Sequence, residues 1–296
     1  MDKQRQSYIY ALLAIFFWAT IPTAFKLCLR ELEVLPMLTV ASVNSAAALF
    51  LILVSTKKLP LLRSISGKDI ISSALLGLIN PFFYYIILLK AYQLLPAQVA
   101  QPLNMIWPII LVFLSVPILR QRIKPKSFVA LFVSFAGVYI ISSRGTIFNP
   151  GHSDLKGVIL ATGSSIFWAF YFILNVRDKR DEAVKLFMNF LFGSAYLLLA
   201  MTLSRQWQTT IFNSKGILSA VYIGIFEMGI TFFFWLRALH LSQSTDKVSN
   251  LVYIAPFLSL FFVHFILNEP VYYTTPLGLV LIVAGILIQN SKSARA

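Results

Sequence analysis

Residues 77–94 read GLINPFFYYIILLKAYQL, and residues 224–241 read GIFEMGITFFFWLRALHL. Each stretch begins with glycine, has a polar side chain three residues later, and has a basic residue followed by alanine near its end. The two basic residues, Lys90 and Arg237, are 147 residues apart. A run of about 20 mostly apolar residues is long enough to cross a bilayer as a helix. The pair therefore predicts two related membrane-spanning helices and an internal repeat.

The repeat extends along the chain. Three further pairs of matching segments keep a spacing of 148 to 150 residues. They are the FWA segments 17–19 and 167–169, the prolines Pro108 and Pro256, and the segments 135–137 and 283–285, which end in Ala-Gly. Such a nearly constant spacing predicts two five-helix units of similar fold, residues 1–145 and residues 146–296.

Ten apolar runs account for most of the chain, which is 58% hydrophobic and only 12% charged. A soluble domain has about 25% charged residues, and a membrane barrel has alternating rather than continuous apolar residues. The predicted fold class is therefore an all-α membrane protein with ten transmembrane helices. The runs, numbered 1 to 10 in chain order, cover residues 8–26, 34–55, 70–89, 98–119, 126–143, 155–176, 184–203, 217–236, 248–267 and 272–290.

The basic residues indicate how these helices are oriented. If the N-terminus is cytoplasmic, 18 of the 25 Lys and Arg residues fall on the cytoplasmic side of the ten runs. The positive-inside rule then predicts that both termini are cytoplasmic. The net charge of +14 belongs to these connections, so we expect no binding to nucleic acid. The seven basic residues on the opposite side are Lys26, Arg30, Lys90, Arg144, Lys156, Arg205 and Lys215.

The number of helices in each unit bears on function. Because five is odd, the second unit starts on the opposite side of the membrane from the first, and the repeats are inverted. Inverted repeats are typical of secondary transporters, in which the two halves exchange conformations around a midplane site. The alternative is a duplicated membrane protein with a structural role. The repeat favours a transporter, whose partners are the lipid bilayer, a small-molecule substrate and, if it is coupled, protons.

The order and duplication of these features resemble the EamA-like branch of the drug/metabolite transporter superfamily over nearly the whole chain. The features that carry the resemblance are the FWA segments, Lys90-Ala91, Arg237-Ala238, the two prolines, and Asn268-Glu269-Pro270 before the last run. The resemblance implies a protein of the bacterial inner membrane that exports or imports amino acids, metabolites or toxic organic compounds, with no cofactor. Family members commonly have Glu after runs 4 and 9, whereas this chain has Gln121 after run 4 and Glu269 after run 9.

Glu227 lies about midway along run 8, with no basic residue within a helical turn. A charged carboxylate at that depth costs roughly 3 kcal/mol, so it should face a cavity. We interpret Glu227 as the group that binds a proton, a substrate amine, or each in turn. The alternative is a protonated side chain that hydrogen-bonds a neighbouring helix. Asn80 has the matching place in run 3, so the sequence predicts that both residues lie at a shared midplane site.

Eight further residues are candidates for lining this site. Trp18 and Trp168 lie near the centres of runs 1 and 6, where their rings would suit an apolar amino acid or an organic cation. Helix packing is the alternative for the aromatic residues, and interhelical hydrogen bonding is the alternative for the polar ones. The candidates are Trp18, Trp168, Tyr171, Asn104, Trp107, Gln101, Tyr84 and Tyr253.

Catalytic motifs are absent from the sequence. It has no GxxxxGK[ST] phosphate-binding loop, no HExxH pair, and a single cysteine, Cys28. We therefore predict a secondary transporter, more specifically an exporter, with no metal site and no enzymatic activity. A non-transporting membrane protein or sensor is the main alternative, followed by a membrane-embedded lipid-modifying enzyme. The sequence leaves open the substrate, proton coupling as opposed to facilitated diffusion, and the oligomeric state.

Overall fold

A computed structural model describes residues 3–119, 125–146, 153–242 and 251–290. These residues form helices and turns, with no strand among them, so the all-helical prediction is confirmed for this part of the chain. Gln121, expected opposite Glu269, lies outside the described residues. The helices are α1 (Lys3–Leu29), α2 (Val34–Ser55), α3 (Gly67–Gly77), α4 (Tyr84–Leu94), α5 (Ala97–Asn104), α6 (Trp107–Leu119), α7 (Pro125–Ser142), α8 (Leu155–Arg177), α9 (Glu182–Leu203), α10 (Gln206–Thr209), α11 (Ser214–Phe226), α12 (Ile230–Leu241), α13 (Ile254–Leu267) and α14 (Thr274–Asn290).

The apolar runs lie on these helices. Eight helical stretches of the described residues are long and apolar enough to cross a membrane. Two more apolar stretches, Leu251–Leu267 and Thr274–Ile288, are shorter. These two stretches match runs 9 and 10. That they too cross the membrane, which would make ten crossings, stays a prediction.

Three of the predicted spans are broken rather than continuous. Run 3 is interrupted by a π-helical turn, Leu78–Phe83, in which Asn80 has the extended dihedral angles φ −143° and ψ 119°. Pro81 follows Asn80 and has no N–H to donate to a continuing helix. Run 4 is divided between α5 and α6, and run 8 is divided between α11 and α12. Breaks at membrane depth are tolerated where the backbone is buried in protein or lines a cavity.

The first helix of each sequence unit packs against the other unit. Helix α1 contacts α11, α12 and α13, and helix α8 contacts α4, α5 and α6. Two further pairs cross between the units, α2 with α9 and α7 with α14. Helices from the first half of the sequence are therefore interleaved with helices from the second half.

Close backbone contact between α7 and α14 centres on two glycines. A Cβ atom on Gly137 would lie 2.5 Å from the carbonyl oxygen of Gly278, and a Cβ atom on Gly278 would lie 2.5 Å from the carbonyl oxygen of Gly137. Each glycine also faces an isoleucine of the opposite helix, Ile282 and Ile141 respectively. Small residues at such crossings let membrane helices approach closely. The contact is reciprocal, as a two-fold relation between the helices requires.

Every second connection between the runs lies at the same end of the bundle. The connections after runs 1, 5, 7 and 9 are joined by hydrogen bonds at one end. The N-terminal turn and the connections after runs 2 and 6 contact neighbouring helices and one another at the other end. The joining pairs are Asn213–Glu31 and Gly145–Thr274 at the first end, and Ser7–Ala238 and Lys58–Asp181 at the second.

Candidate functional site

Glu227 lies at the break between α11 and α12. Its N–H donates to the Ile223 carbonyl oxygen over 2.8 Å, which ends α11, and Gly229 has dihedral angles outside the helical range before α12 begins. The Glu227 side chain is partly exposed, and its Oε1 accepts a 3.0 Å hydrogen bond from the Tyr85 hydroxyl of α4. None of the ion pairs within the described ranges includes Glu227. The Glu227 carboxyl group therefore lies between α4 and the break after α11, where the Tyr85 hydroxyl is its hydrogen-bond donor.

The two predicted tryptophans are linked through one phenylalanine. Trp168 of α8 lies 5.9 Å from Phe232 of α12 between ring centroids, and Trp18 of α1 lies 5.7 Å from the same ring. Trp168 also contacts Tyr84 at 5.0 Å and Trp107 at 6.4 Å. Five helices thus supply one aromatic cluster: Trp18, Tyr84, Trp107, Trp168 and Phe232. Trp18, Trp107, Trp168 and Phe232 stay partly exposed.

Polar groups border this aromatic cluster. The Tyr84 hydroxyl donates to Oδ1 of Asn104 over 3.2 Å, and Nδ2 of Asn104 donates to Oγ of Ser164 over 2.8 Å. Asn104 therefore joins α4, α5 and α8. Gln101, one helical turn earlier, accepts a hydrogen bond from Ser259 of α13. The interhelical hydrogen bonding considered for both residues is present, and Asn104 also borders the aromatic cluster.

Asn80 and Glu227 are not joined by a hydrogen bond among the described residues. Asn80 is buried in the π-helical turn and lies close to the Tyr171 hydroxyl, which also accepts a 3.3 Å hydrogen bond from Nδ2 of Asn189. Asn80 therefore faces α8 and α9, whereas Glu227 faces Tyr85. The prediction that the two polar residues share one site is not supported by these contacts, although both lie at helix breaks.

Tyr171 and Tyr253 differ in their relation to the cluster. Tyr171 is buried, and its ring centroid lies 5.9 Å from that of Trp168. It therefore packs against the aromatic cluster on its buried side. Tyr253 ends a short 3-10 turn, Leu251–Tyr253, immediately before α13, and it packs at the edge of the main hydrophobic core.

Two residues of the site, Tyr85 and Phe232, were not among the sequence candidates. They are 147 residues apart, the spacing that relates Lys90 to Arg237. A search for aromatic residues that share this spacing would have found both. Tyr85 is the partner of Glu227, and Phe232 is the ring between the two tryptophans. The repeat therefore carried a signal for the site that hydropathy alone did not.

Beyond the cluster, one end of the bundle is held by a set of contacts that we call the Glu269 clamp: Lys26, Tyr92, Ala97, Gln98 and Glu269. The Lys26 ammonium donates to the Tyr92 carbonyl oxygen over 2.6 Å. The Ala97 N–H, at the start of α5, donates to Oε1 of Glu269 over 3.3 Å. Gln98 donates to the carbonyl oxygen of Pro270 and accepts from the N–H of Tyr272 over 3.1 Å. The clamp joins α1, α4 and α5 to the segment after α13.

The opposite end carries a charged set that we call the Arg180 cluster: Asp69, Ser73, Asp178 and Arg180. Arg180 donates to both carboxylate oxygens of Asp178 and to Oγ of Ser73 over 2.9 Å, and it lies 3.8 Å from Asp69. Burial raises the pKa of Asp178, but the hydrogen bonds and the charge of Arg180 lower it more, so this pKa lies below its ordinary value of 3.8. The cluster joins the start of α3 to the connection between α8 and α9.

Comparison with known proteins identifies the family to which this chain is similar. The model of the EamA-like transporter family matches residues 5–143 and again residues 155–291. The uncharacterized transporter YvbV of Bacillus subtilis is 26% identical over 99% of this chain and 94% of its own length. An uncharacterized transporter of Clostridium kluyveri is 23% identical over 99% of this chain and 95% of its own. The match to one from Archaeoglobus fulgidus, 25% identical, covers 59% of this chain and 61% of that protein.

A solved crystal structure has the same fold, with a TM-score of 0.66 and 19% identity over 96% of both chains. The apolar helices and these matches define a multi-pass membrane protein of the transporter class. The chain belongs to the EamA-like transporter family, a branch of the drug/metabolite transporter superfamily. The expected family resemblance is therefore confirmed. Among the described residues, no group of three or more His, Cys, Asp or Glu side chains is placed to hold a metal ion.

Proposed function

We propose that this protein is a secondary transporter that exports a small metabolite, an amino acid or an organic cation, by alternating access. The observation that carries the proposal is the Tyr85–Glu227 hydrogen bond, which joins α4 to the break after α11 beside the aromatic cluster. The direction of transport and its coupling to protons are parts of this proposal.

The chemistry of the site suits a ligand with a positive charge and an apolar body. The Glu227 carboxylate supplies the counter-charge for an amine or a bound proton. The exposed faces of Trp18 and Trp168 attract cations and stack on apolar groups. A proton and a cationic substrate that compete for one carboxylate would bind in turn, which is the basis of exchange between export of substrate and import of protons.

Several features support two inverted units, residues 1–145 and 146–296, with both termini in the cytoplasm. The family model matches each unit separately. Gly77 of α3 abuts the Asn189 carbonyl oxygen, and Gly224 of α11, 147 residues later, abuts the carbonyl oxygen of Ala41. Ala41 and Asn189 are themselves 148 residues apart. Equivalent contacts at equivalent spacing are what a pseudo-two-fold axis in the membrane plane would produce.

The bacterial inner membrane is the proposed location, because full-length relatives come from Bacillus subtilis and Clostridium kluyveri. We expect substrate to move between the end that carries the Glu269 clamp and the end that carries the Arg180 cluster. The basic residues are more numerous at the second end, which we assign to the cytoplasm. In the described structure both ends are tied by contacts between the units.

The test is a flux assay in proteoliposomes with a panel of amino acids and organic cations, run with and without a pH gradient. Wild-type protein should transport at least one compound, and Glu227→Gln should lose that flux while it keeps normal expression and unfolding temperature. The matched control is Glu33→Gln, which changes an exposed carboxylate that makes no capping hydrogen bond with α2. Normal flux in Glu227→Gln would contradict the role of Glu227. Flux that ignores the gradient would leave facilitated diffusion, and no flux for any compound would favour a sensor.

A further inference from the structure

An apolar groove of about 530 Å³ opens on the outer surface between α6, α7 and α8. Ile110 and Phe113 of α6, Leu131 and Phe135 of α7, and Ile159 and Gly163 of α8 are among its walls. The groove continues into apolar side chains that project from the bundle: Ile159 is 61% exposed, and Phe135 is 47% exposed. In a chain that spans a bilayer, such a surface faces the hydrocarbon of the lipids.

Gly163 keeps the groove open. A Cβ atom on Gly163 would meet no other atom within 4 Å, so the space above this residue is empty of protein. Under the proposed repeat, with the spacing of 150 residues that relates Trp18 to Trp168, the matching residue in α1 is Leu13. Three residues on, Phe16 of α1 lies 5.8 Å from Phe262 of α13 between ring centroids. Larger side chains, Leu13 and Phe16, therefore stand at the related position in α1.

We propose that this groove binds one acyl chain of a membrane phospholipid, a proposal that rests on the membrane-spanning arrangement in the proposed function. The occupant must be apolar and narrow, because the walls are apolar and the space lies between helices. An occupant that fits the groove gains dispersion contacts with its apolar walls. A flexible acyl chain fills an irregular apolar space and remains attached to a headgroup at the membrane surface.

A second copy of this chain is a poorer fit. A helix with its side chains is about 10–12 Å across and rises about 5.4 Å per turn, so a space of this size takes about one turn of helix. A stable dimer needs about 800 Å² of buried surface on each partner, so a second copy would have to cover surface well beyond this groove. The size of the groove therefore favours a lipid chain over a neighbouring helix.

The bound chain would act on the candidate site through the helices that it separates. Ser164, next to Gly163, accepts the hydrogen bond from Asn104, and Trp107 of α6 contacts Trp168 of α8 at 6.4 Å. Helices α6 and α8 therefore form walls of the groove on one side and walls of the aromatic cluster on the other. Occupancy of the groove fixes their spacing at the depth of the cluster.

The experiment is native mass spectrometry of the delipidated full-length protein after addition of dioleoyl phosphatidylethanolamine. Wild-type protein should hold one lipid that survives activation energies at which other adducts leave. Gly163→Leu, which fills the groove with a side chain that meets no other atom at its Cβ position, should lose this adduct. The control Ala195→Leu adds the same bulk at an exposed position of α9 and should keep it.

Retention of the lipid by Gly163→Leu would overturn the proposal. A wild-type dimer that carries no lipid and becomes a monomer in Gly163→Leu would also overturn it, in favour of a second copy. Thermal unfolding of the same proteins separates this result from a folding defect, because added lipid should raise the unfolding temperature of the wild type and of Ala195→Leu but not of Gly163→Leu. The measurement needs no transport substrate, so its failure and the failure of the transport proposal are distinguishable.

Discussion

The Tyr85 hydroxyl donates a 3.0 Å hydrogen bond to Oε1 of Glu227, and this bond connects α4 of the first sequence unit to the break after α11 in the second. The aromatic ring of Tyr84, the next residue, lies 5.0 Å from Trp168. Two consecutive tyrosines of α4 therefore reach the carboxyl group and the aromatic cluster. A change in the relative position of the units must alter this contact, which makes Tyr85 the natural point at which to test it.

Tyr85→Phe removes the hydroxyl and leaves the ring. A hydrogen bond to a charged group contributes about 1.5–3 kcal/mol, so we expect transport to fall roughly tenfold or more because Glu227 is no longer held in place. Initial flux in proteoliposomes at several substrate concentrations measures the effect. The control is Tyr196→Phe, which changes a tyrosine of α9 that packs on Phe82 outside the site. Equal flux in the two variants would argue against a role for the Tyr85 hydroxyl.

The proposed orientation predicts which loops a membrane-impermeant maleimide reaches from outside intact cells. Ser64 follows run 2 and Ser204 follows run 7, and both are exposed. In a chain with Cys28→Ser, we expect labelling of Ser204→Cys and none of Ser64→Cys. Both should be labelled once the cells are permeabilised, which serves as the control for reactivity. Labelling of Ser64→Cys alone in intact cells would invert the topology and place both termini outside.

The sequence was sufficient for the helices but not for their breaks. Apolar composition predicts where a helix crosses, because the cost of burying polar groups in lipid acts on the whole segment. It does not predict that α11 ends at Phe226, immediately before Glu227, because a glycine such as Gly229 permits helical and non-helical dihedral angles alike. The six-residue π-helical turn around Asn80 is likewise not predicted by apolar composition, although Pro81 is a residue that interrupts helices.

Side-chain partners were the second limit. The charge on Glu227 and the midspan position of Trp168 were visible in the sequence, because each is unusual at membrane depth. The partner of Glu227 was not, since Tyr84 and Tyr85 are adjacent and apolar periodicity cannot tell which of them faces a given helix. That Asn80 and Glu227 make no hydrogen bond with each other among the described residues has a similar cause, because equal positions in two repeats need not point toward each other.

The reciprocal contact of Gly137 and Gly278 predicts a strong effect of a single methyl group. Gly137→Ala or Gly278→Ala places a Cβ atom 2.5 Å from a carbonyl oxygen of the opposite helix, so α7 and α14 must move apart. Overpacking of this kind costs about 1–3 kcal/mol, and we expect a lower unfolding temperature in detergent. Gly163→Ala is the matched control, because its added methyl group meets open space and alanine favours helix by up to about 1 kcal/mol. Equal unfolding temperatures for all three variants would refute the crossing.

The Glu269 clamp predicts a difference between two substitutions of one residue. Glu269→Ala removes the acceptor for the Ala97 N–H at the start of α5, whereas Glu269→Gln keeps an amide oxygen at the same place. Loss of such an acceptor at a helix start costs about 1 kcal/mol. We therefore expect a lower unfolding temperature for Glu269→Ala and a nearly unchanged one for Glu269→Gln. If Glu269→Gln is as unstable as Glu269→Ala, the charge of Glu269 rather than its hydrogen bond holds the clamp.

The lowered pKa of Asp178 predicts how stability depends on acid. A carboxyl group whose pKa is lower in the folded protein than in the unfolded chain stabilises the fold above the unfolded value, and this contribution is lost as the pH falls through the folded value. Wild-type protein should therefore unfold at a higher temperature than Asp178→Asn near pH 7. The difference should shrink as the pH falls below the ordinary value of 3.8.

The cause of that pKa can be tested with Arg180, which donates to both oxygens of Asp178. In a chain with Arg180→Leu, the side chain that lowers the pKa is gone, so Asp178→Asn should change the unfolding temperature little or even raise it. The four proteins form a double-mutant cycle. The coupling energy that it gives near pH 7 should favour the intact pair of Asp178 and Arg180. If Asp178→Asn has the same effect with and without Arg180, the contact between Asp178 and Arg180 contributes nothing to stability.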